Sequence, residues 1–252
     1  MVRVELPERT RDRFWIPGAL LVVAAVGWWW SARMASPGSG DMAMTDPTMA
    51  VSAASFLVGW VAMMSAMMFP AIIPVVRLYD RAARRGNVAP VPFFVGGYLL
   101  VWSAIGVPAY FAWHALSGPI SAGAPWVARL AGVVFVVAAL YQATPLKTVC
   151  LRHCRSPLSF FMHNGVRLDR PAGALRAGGT HGLVCVGCCW ALMAVLVSLG
   201  TMQLAWMFAL AALIFLEKVA PFGERVSVIA AVVFLGIGAA LLVSPAVLTD
   251  LI

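Results

Sequence analysis

Residues 180–193 read THGLVCVGCCWALM, an apolar stretch that carries Cys185, Cys188 and Cys189, with His181 one helical turn ahead of them. Apart from those four side chains it has the composition of a bilayer-crossing helix. With its flanks it covers about 181–199, close to the roughly 20 residues needed to cross about 30 Å of hydrocarbon. Runs of the same character lie at about 15–33, 51–76, 91–114, 126–145, 204–217 and 227–246. The expected fold is therefore all-α: a polytopic integral membrane bundle of six to seven transmembrane helices. The run at 204–217 is short, and the turn SLGTMQ before it predicts a helical hairpin with the preceding span.

The composition points the same way. The chain is 62% hydrophobic and only 11% charged, far more apolar than the core of a soluble domain requires. Its net charge of +8 would suit nucleic acid only if it formed a basic face on a soluble domain. Here the basic residues sit in short loops between apolar runs, so nucleic acid is excluded as a partner and the lipid bilayer is the expected one.

Lys and Arg also orient the bundle, because cytoplasmic loops carry the excess positive charge. With a cytoplasmic N-terminus, all 18 basic residues fall in inner segments except Arg33 and Arg129. Residues 1–50 then hold a basic start, a first span and a Met-containing outer loop. Residues 51–246 form a metal-binding transmembrane domain, and 247–252 an outer tail. The first span could be a cleaved signal peptide, but Trp28, Trp29 and Trp30 suit an interfacial belt and favour a retained anchor. The inner loop at about 146–179 is expected to begin with a helix and to place an interfacial segment around SPLSFFMHNGVRL.

All five cysteines lie between 150 and 189. Cys150, His153 and Cys154 are spaced i, i+3 and i+4, one face of a helix. His181, Cys185, Cys188 and Cys189 are spaced i, i+4, i+7 and i+8, again one stripe. Both groups fall near the cytoplasmic surface, where thiols stay reduced, so metal binding or redox chemistry outweighs a disulfide framework. Thiolate and imidazole suit Zn(II) and Cu(I), and thioether sulfur favours Cu(I). A purely structural account also exists, because cysteine packs as a small hydrophobe and CVGCCWA could be a close helix contact.

The second span contains WVAMMSAMMFP, in which Met63, Met64, Met67 and Met68 cover one broad face and Pro70 and Pro74 follow. The prolines are expected to kink the helix. Methionine is a good gap-filler, so packing explains this face as readily as ligation does. With Met42, Met44 and Met49 outside and Met193 one turn beyond Cys189, the sulfurs form a series from one membrane face to the other. Glu217 and Lys218 end the sixth span. Glu217 is a candidate acceptor that would orient His181 or His153 toward a metal, or one partner of an interfacial ion pair. No internal repeat and no nucleotide-binding glycine pattern is present.

Four blocks, WVAMMSAMMFP, PLKTVCLRHCRSPLSFF, HGLVCVGCCWALM and WMFALAALIFLEK, together resemble a bacterial family of unknown function described as predicted metal-binding integral membrane proteins. The resemblance runs over about 50–245. It implies a multi-pass protein of the bacterial inner (cytoplasmic) membrane with functional positions at Met63, Met64, Met67, Met68, Cys150, Cys154, His181, Cys185, Cys188, Cys189, Met193, Glu217 and Lys218. His153 is not among the positions it carries.

These observations predict a transition-metal binder, with Cu(I) as the cargo and Zn(II) as the other candidate. Its expected role is copper uptake, retention or delivery to a membrane metalloenzyme, with a metallochaperone or metalloenzyme as partner. Cys185, Cys188 and Cys189 are the expected primary ligands, with Cys150, Cys154, His153 and His181 completing one or two sites. Two rivals stand beside this: a thiol-redox protein cycling Cys188 and Cys189, or Cys150 and Cys154, with Cys185 to Cys188 as the one C-x-x-C spacing, and a structural or assembly subunit with packed sulfurs and no metal. Binding is favoured over catalysis, and a two-fold oligomer could build a site from two copies of the same stripe.

Overall fold

The structure, a computed structural model, describes residues 10–35, 53–84, 89–155, 168–199 and 203–244. The outer loop with Met42, Met44 and Met49, the aromatic segment containing His163, and the tail at 247–252 lie outside the described residues.

Among the described residues there are eight helices and no strand. They are α1 (Thr10–Ala35), α2 (Ala53–Arg84), α3 (Val91–Ser121), α4 (Pro125–Gln142), α5 (Pro145–Arg155), α6 (Pro171–Ser198), α7 (Leu204–Val219) and α8 (Gly223–Val243). Six of them, α1, α2, α3, α4, α6 and α8, are long and apolar enough to cross a membrane. The run at 204–217 forms α7, whose 16 residues span only about 24 Å at 1.5 Å per residue. Prolines open the helices where their missing N–H costs nothing: Pro125, Pro145 and Pro171 stand first in α4, α5 and α6. Gly123, with φ +62, makes the left-handed step between α3 and α4 that a side chain would resist.

Two helices differ from their sequence expectation. α2 runs past the end of the expected span at about 76, continuing as α-helix to Arg84 with Pro70 and Pro74 inside it. α6 starts ten residues before the expected span, at Pro171. Its first turns hold Gly173, Ala174, Ala177 and Gly178, all buried, which are too small to register as strongly apolar.

Those small residues make the closest helix contact in the fold. A Cβ on Gly178 would overlap the carbonyl of Phe94, and one on Gly97 would overlap that of Leu175. α3 and α6 therefore meet backbone to backbone, the geometry small residues permit between apolar helices. α1 packs along α2, and α4 along α8, where Gly132 and Gly238 face each other. α2 and α6 are the most enclosed of the six long helices. The short α5 closes one end of the bundle against α6 and α7. Outward-facing positions remain apolar, including Leu100, Phe111, Val137, Leu183, Val232 and Val233, an unusual surface for a protein bathed only in water.

Candidate metal centre

α6 presents its sulfur stripe inward. His181, Cys185, Cys188 and Cys189 are all buried, as a stripe of one side every three or four residues requires when that side faces the core. α5 then supplies the second element of the site, because its inner edge brings Cys154 against the same stripe. The Sγ atoms of Cys154, Cys185 and Cys188 all lie within 4.8 Å of one another. Three sulfurs bound to one ion at about 2.3 Å stand roughly 4 Å apart. The trio thus fits a soft metal ion with only a small closure, and the donor set is all thiol.

The remaining sequence candidates take different places. Cys189 is buried, and its thiol donates to the Cys185 carbonyl at 2.9 Å. The Cys188 thiol donates to the same carbonyl at 3.1 Å. Cys150 is half-buried, with its Sγ against Gly187 where a Cβ would stand 3.2 Å away. His153 is exposed on the outer side of α5, its Nδ1 2.9 Å from the carbonyl of Val149. His181 lies between the rings of Phe94 and Tyr98, each with its centroid 6.0 Å away. Among the described residues, none of these joins the three-thiol group. Met63, Met64, Met67, Met68 and Met193 are all buried in the core.

Two charged residues at the end of α7 serve different neighbours. Glu217 accepts from Lys147 Nζ at 2.8 and 2.9 Å and from Gln142 Nε2 at 2.9 Å. Its donors are thus a lysine and an amide, and Ser227 extends the network by donating to Gln142 Oε1 at 3.2 Å. Both ends of the Lys147–Glu217 bridge are buried. Such a pair stands only when its remaining hydrogen bonds are met, as they are here. Lys218 points the other way. Its ammonium donates to Cys185 Sγ at 2.9 Å and lies 3.7 Å from Met68 Sδ. Tyr98 Oη also approaches Cys185 Sγ, at 3.1 Å.

Cys185 Sγ therefore has the Lys218 ammonium and the Tyr98 hydroxyl beside it. On α5, hydrogen bonding with Cys185 and Cys188, then burial, holds the Cys154 thiol well above the ordinary cysteine range.

Sequence reasoning overlooked Tyr98, which sits in an unremarkable aromatic span, and the pairing of Lys147. Gln142 and Ser227 carried a usable signal, since an isolated polar side chain inside an apolar run marks a buried partner.

The described residues thus form an all-helical protein in which buried thiols converge from two helices in a geometry that a soft metal ion fits. The chain belongs to a family of copper chaperones, PpoB2, whose model matches residues 57–241. The match takes in all four blocks on which the resemblance to metal-binding proteins rests. No curated protein and no solved structure matches the chain.

Proposed function

We propose that the protein is a membrane-embedded chaperone that holds Cu(I) between Cys154, Cys185 and Cys188 and delivers it to a metalloenzyme. The observation that carries this is the convergence of three buried Sγ atoms within 4.8 Å of one another. The copper-chaperone family supports the cargo, and thiolate donors suit the cuprous ion. The six apolar helices and their apolar outer surface support insertion in the bilayer. The distribution of Lys and Arg supports a cytoplasmic N-terminus, with the thiol centre near that face.

Delivery, rather than permanent storage, is supported by Cys150. Its half-buried thiol stands beside Gly187, next in sequence to Cys188, where a partner's thiol could share the ion during exchange. The test is metal analysis of protein purified anaerobically in detergent, with free thiols titrated on the same sample. Near-stoichiometric Cu(I) with protected thiols, lost in Cys188→Ser, is the expected outcome. A metal-free protein cycling with a reproducible two-electron couple would favour the thiol-redox account. Cysteine-to-alanine changes that alter stability alone would favour packed sulfurs without a ligand.

A further inference from the structure

Lys218 is a buried cation whose hydrogen-bond acceptors, among the described residues, are sulfur: Cys185 Sγ at 2.9 Å and Met68 Sδ at 3.7 Å. Glu217, its neighbour in sequence, is occupied by Lys147 and Gln142. A buried ammonium ordinarily ends on a carboxylate or a carbonyl. This one ends on Cys185 of the thiol trio, with the Met68 thioether as its other acceptor.

We propose that Lys218 and Met68 set the ion selectivity of the centre, favouring monovalent Cu(I) over divalent Zn(II). The inference rests on Cys154, Cys185 and Cys188 holding the metal. A fixed positive charge acts on the site in two ways. It stabilises the thiolates, a benefit that is the same whichever ion they hold. It also repels the bound ion in proportion to that ion's charge, so a divalent ion is penalised twice as much as a monovalent one. The first effect cancels in the ratio of affinities and the second does not. Burial keeps this difference large, since water cannot screen it.

Met68 acts in the same direction by separate chemistry. It is fully buried on α2, a helix that supplies none of the three thiols. A thioether is a good donor to Cu(I) and a poor one to Zn(II). Its sulfur lies 3.7 Å from the ammonium that reaches Cys185 Sγ, so it offers a soft donor close to where the positive charge discourages a harder, doubly charged ion.

The experiment compares Cu(I) affinity, by competition with a cuprous chelator, and Zn(II) affinity, by competition with a zinc chelator, on the full chain in detergent. Lys218→Gln, which keeps a donor and loses the charge, should lower the Cu(I)-to-Zn(II) affinity ratio by about tenfold or more. Lys218→Arg should keep it near wild type. Met68→Leu, which keeps the volume and loses the sulfur, should lower it as well. A ratio unchanged in Lys218→Gln overturns the proposal. If that variant does not fold, an unchanged ratio in Met68→Leu overturns it. Wild-type protein that binds neither ion through its cysteines defeats the copper-site proposal itself, an outcome distinct from normal binding with unaltered selectivity.

Discussion

Glu217 and Lys218 are adjacent in sequence yet serve different partners: Glu217 binds Lys147 at 2.8 Å, and Lys218 donates to Cys185 Sγ at 2.9 Å. Neighbouring residues on a helix leave it about 100° apart. One end of α7 therefore ties α5 in place through an ion pair and places a cation at the thiol centre. The bridge and the centre share α5, since Lys147 and Cys154 lie on the same short helix.

Removing the carboxylate should accordingly cost more than a surface charge would. Glu217→Ala leaves the Lys147 ammonium buried without its counter-ion and should destabilise the protein by about 3–5 kcal/mol. Replacing both residues, Glu217→Met with Lys147→Met, should recover much of that loss. Thermal unfolding of detergent-solubilised protein would read both, and equal loss in the single and double variants would contradict the assignment.

The contact between α3 and α6 makes a sharper steric prediction. Gly178→Ala drives a methyl into the Phe94 carbonyl and should cost roughly 1–3 kcal/mol or more, because backbone cannot rotate aside. Gly236→Ala, with nothing within 4 Å of its Cβ, should be neutral or slightly stabilising as an alanine in a helix. Similar melting temperatures for the two variants would contradict the packing described.

Thiol labelling should be ordered by exposure. Cys150 is half-buried, and Cys154, Cys185, Cys188 and Cys189 are buried, so one thiol should react with a bulky maleimide well ahead of the other four. Burial also pushes the Cys150 thiol upward. Thiolate is the reactive form, and a raised value shifts its appearance to higher pH. Alkylation of Cys150 should therefore keep accelerating beyond about pH 8.5, where an ordinary cysteine is half ionised. A plateau at or below that pH would contradict the shift.

Tyr98→Phe removes only the hydroxyl 3.1 Å from Cys185 Sγ. The fold should survive, while metal affinity should fall by about tenfold, the lower end for loss of a group that orients a ligand. Unchanged affinity would mean that the hydroxyl does not support the centre.

The long helices were legible because twenty apolar residues in a row have few alternatives, and the α6 stripe because its spacing repeats the helical period. The early start of α6 was not legible. Gly173, Ala174, Ala177 and Gly178 look neutral on a hydropathy scale, and their role appears only when α3 is laid against them. The rotation of α5 was equally hidden. Spacing puts Cys150, His153 and Cys154 on one face, but only the edge turned toward α6 and α7 is enclosed, so Cys154 enters the centre and His153 stays exposed. Pairings such as Lys147 with Glu217, 70 positions apart, exist only once the helices are assembled.

The most direct test of the thiol centre is the copper stoichiometry of Cys154→Ser beside that of Cys189→Ser, both loaded anaerobically in detergent. Cys154 reaches the trio from a separate helix, whereas Cys189 is buried on α6 without belonging to it. Near-stoichiometric Cu(I) in Cys189→Ser and its loss or marked weakening in Cys154→Ser is the predicted result. Full copper binding in Cys154→Ser, with loss in Cys189→Ser, would contradict the centre formed by Cys154, Cys185 and Cys188.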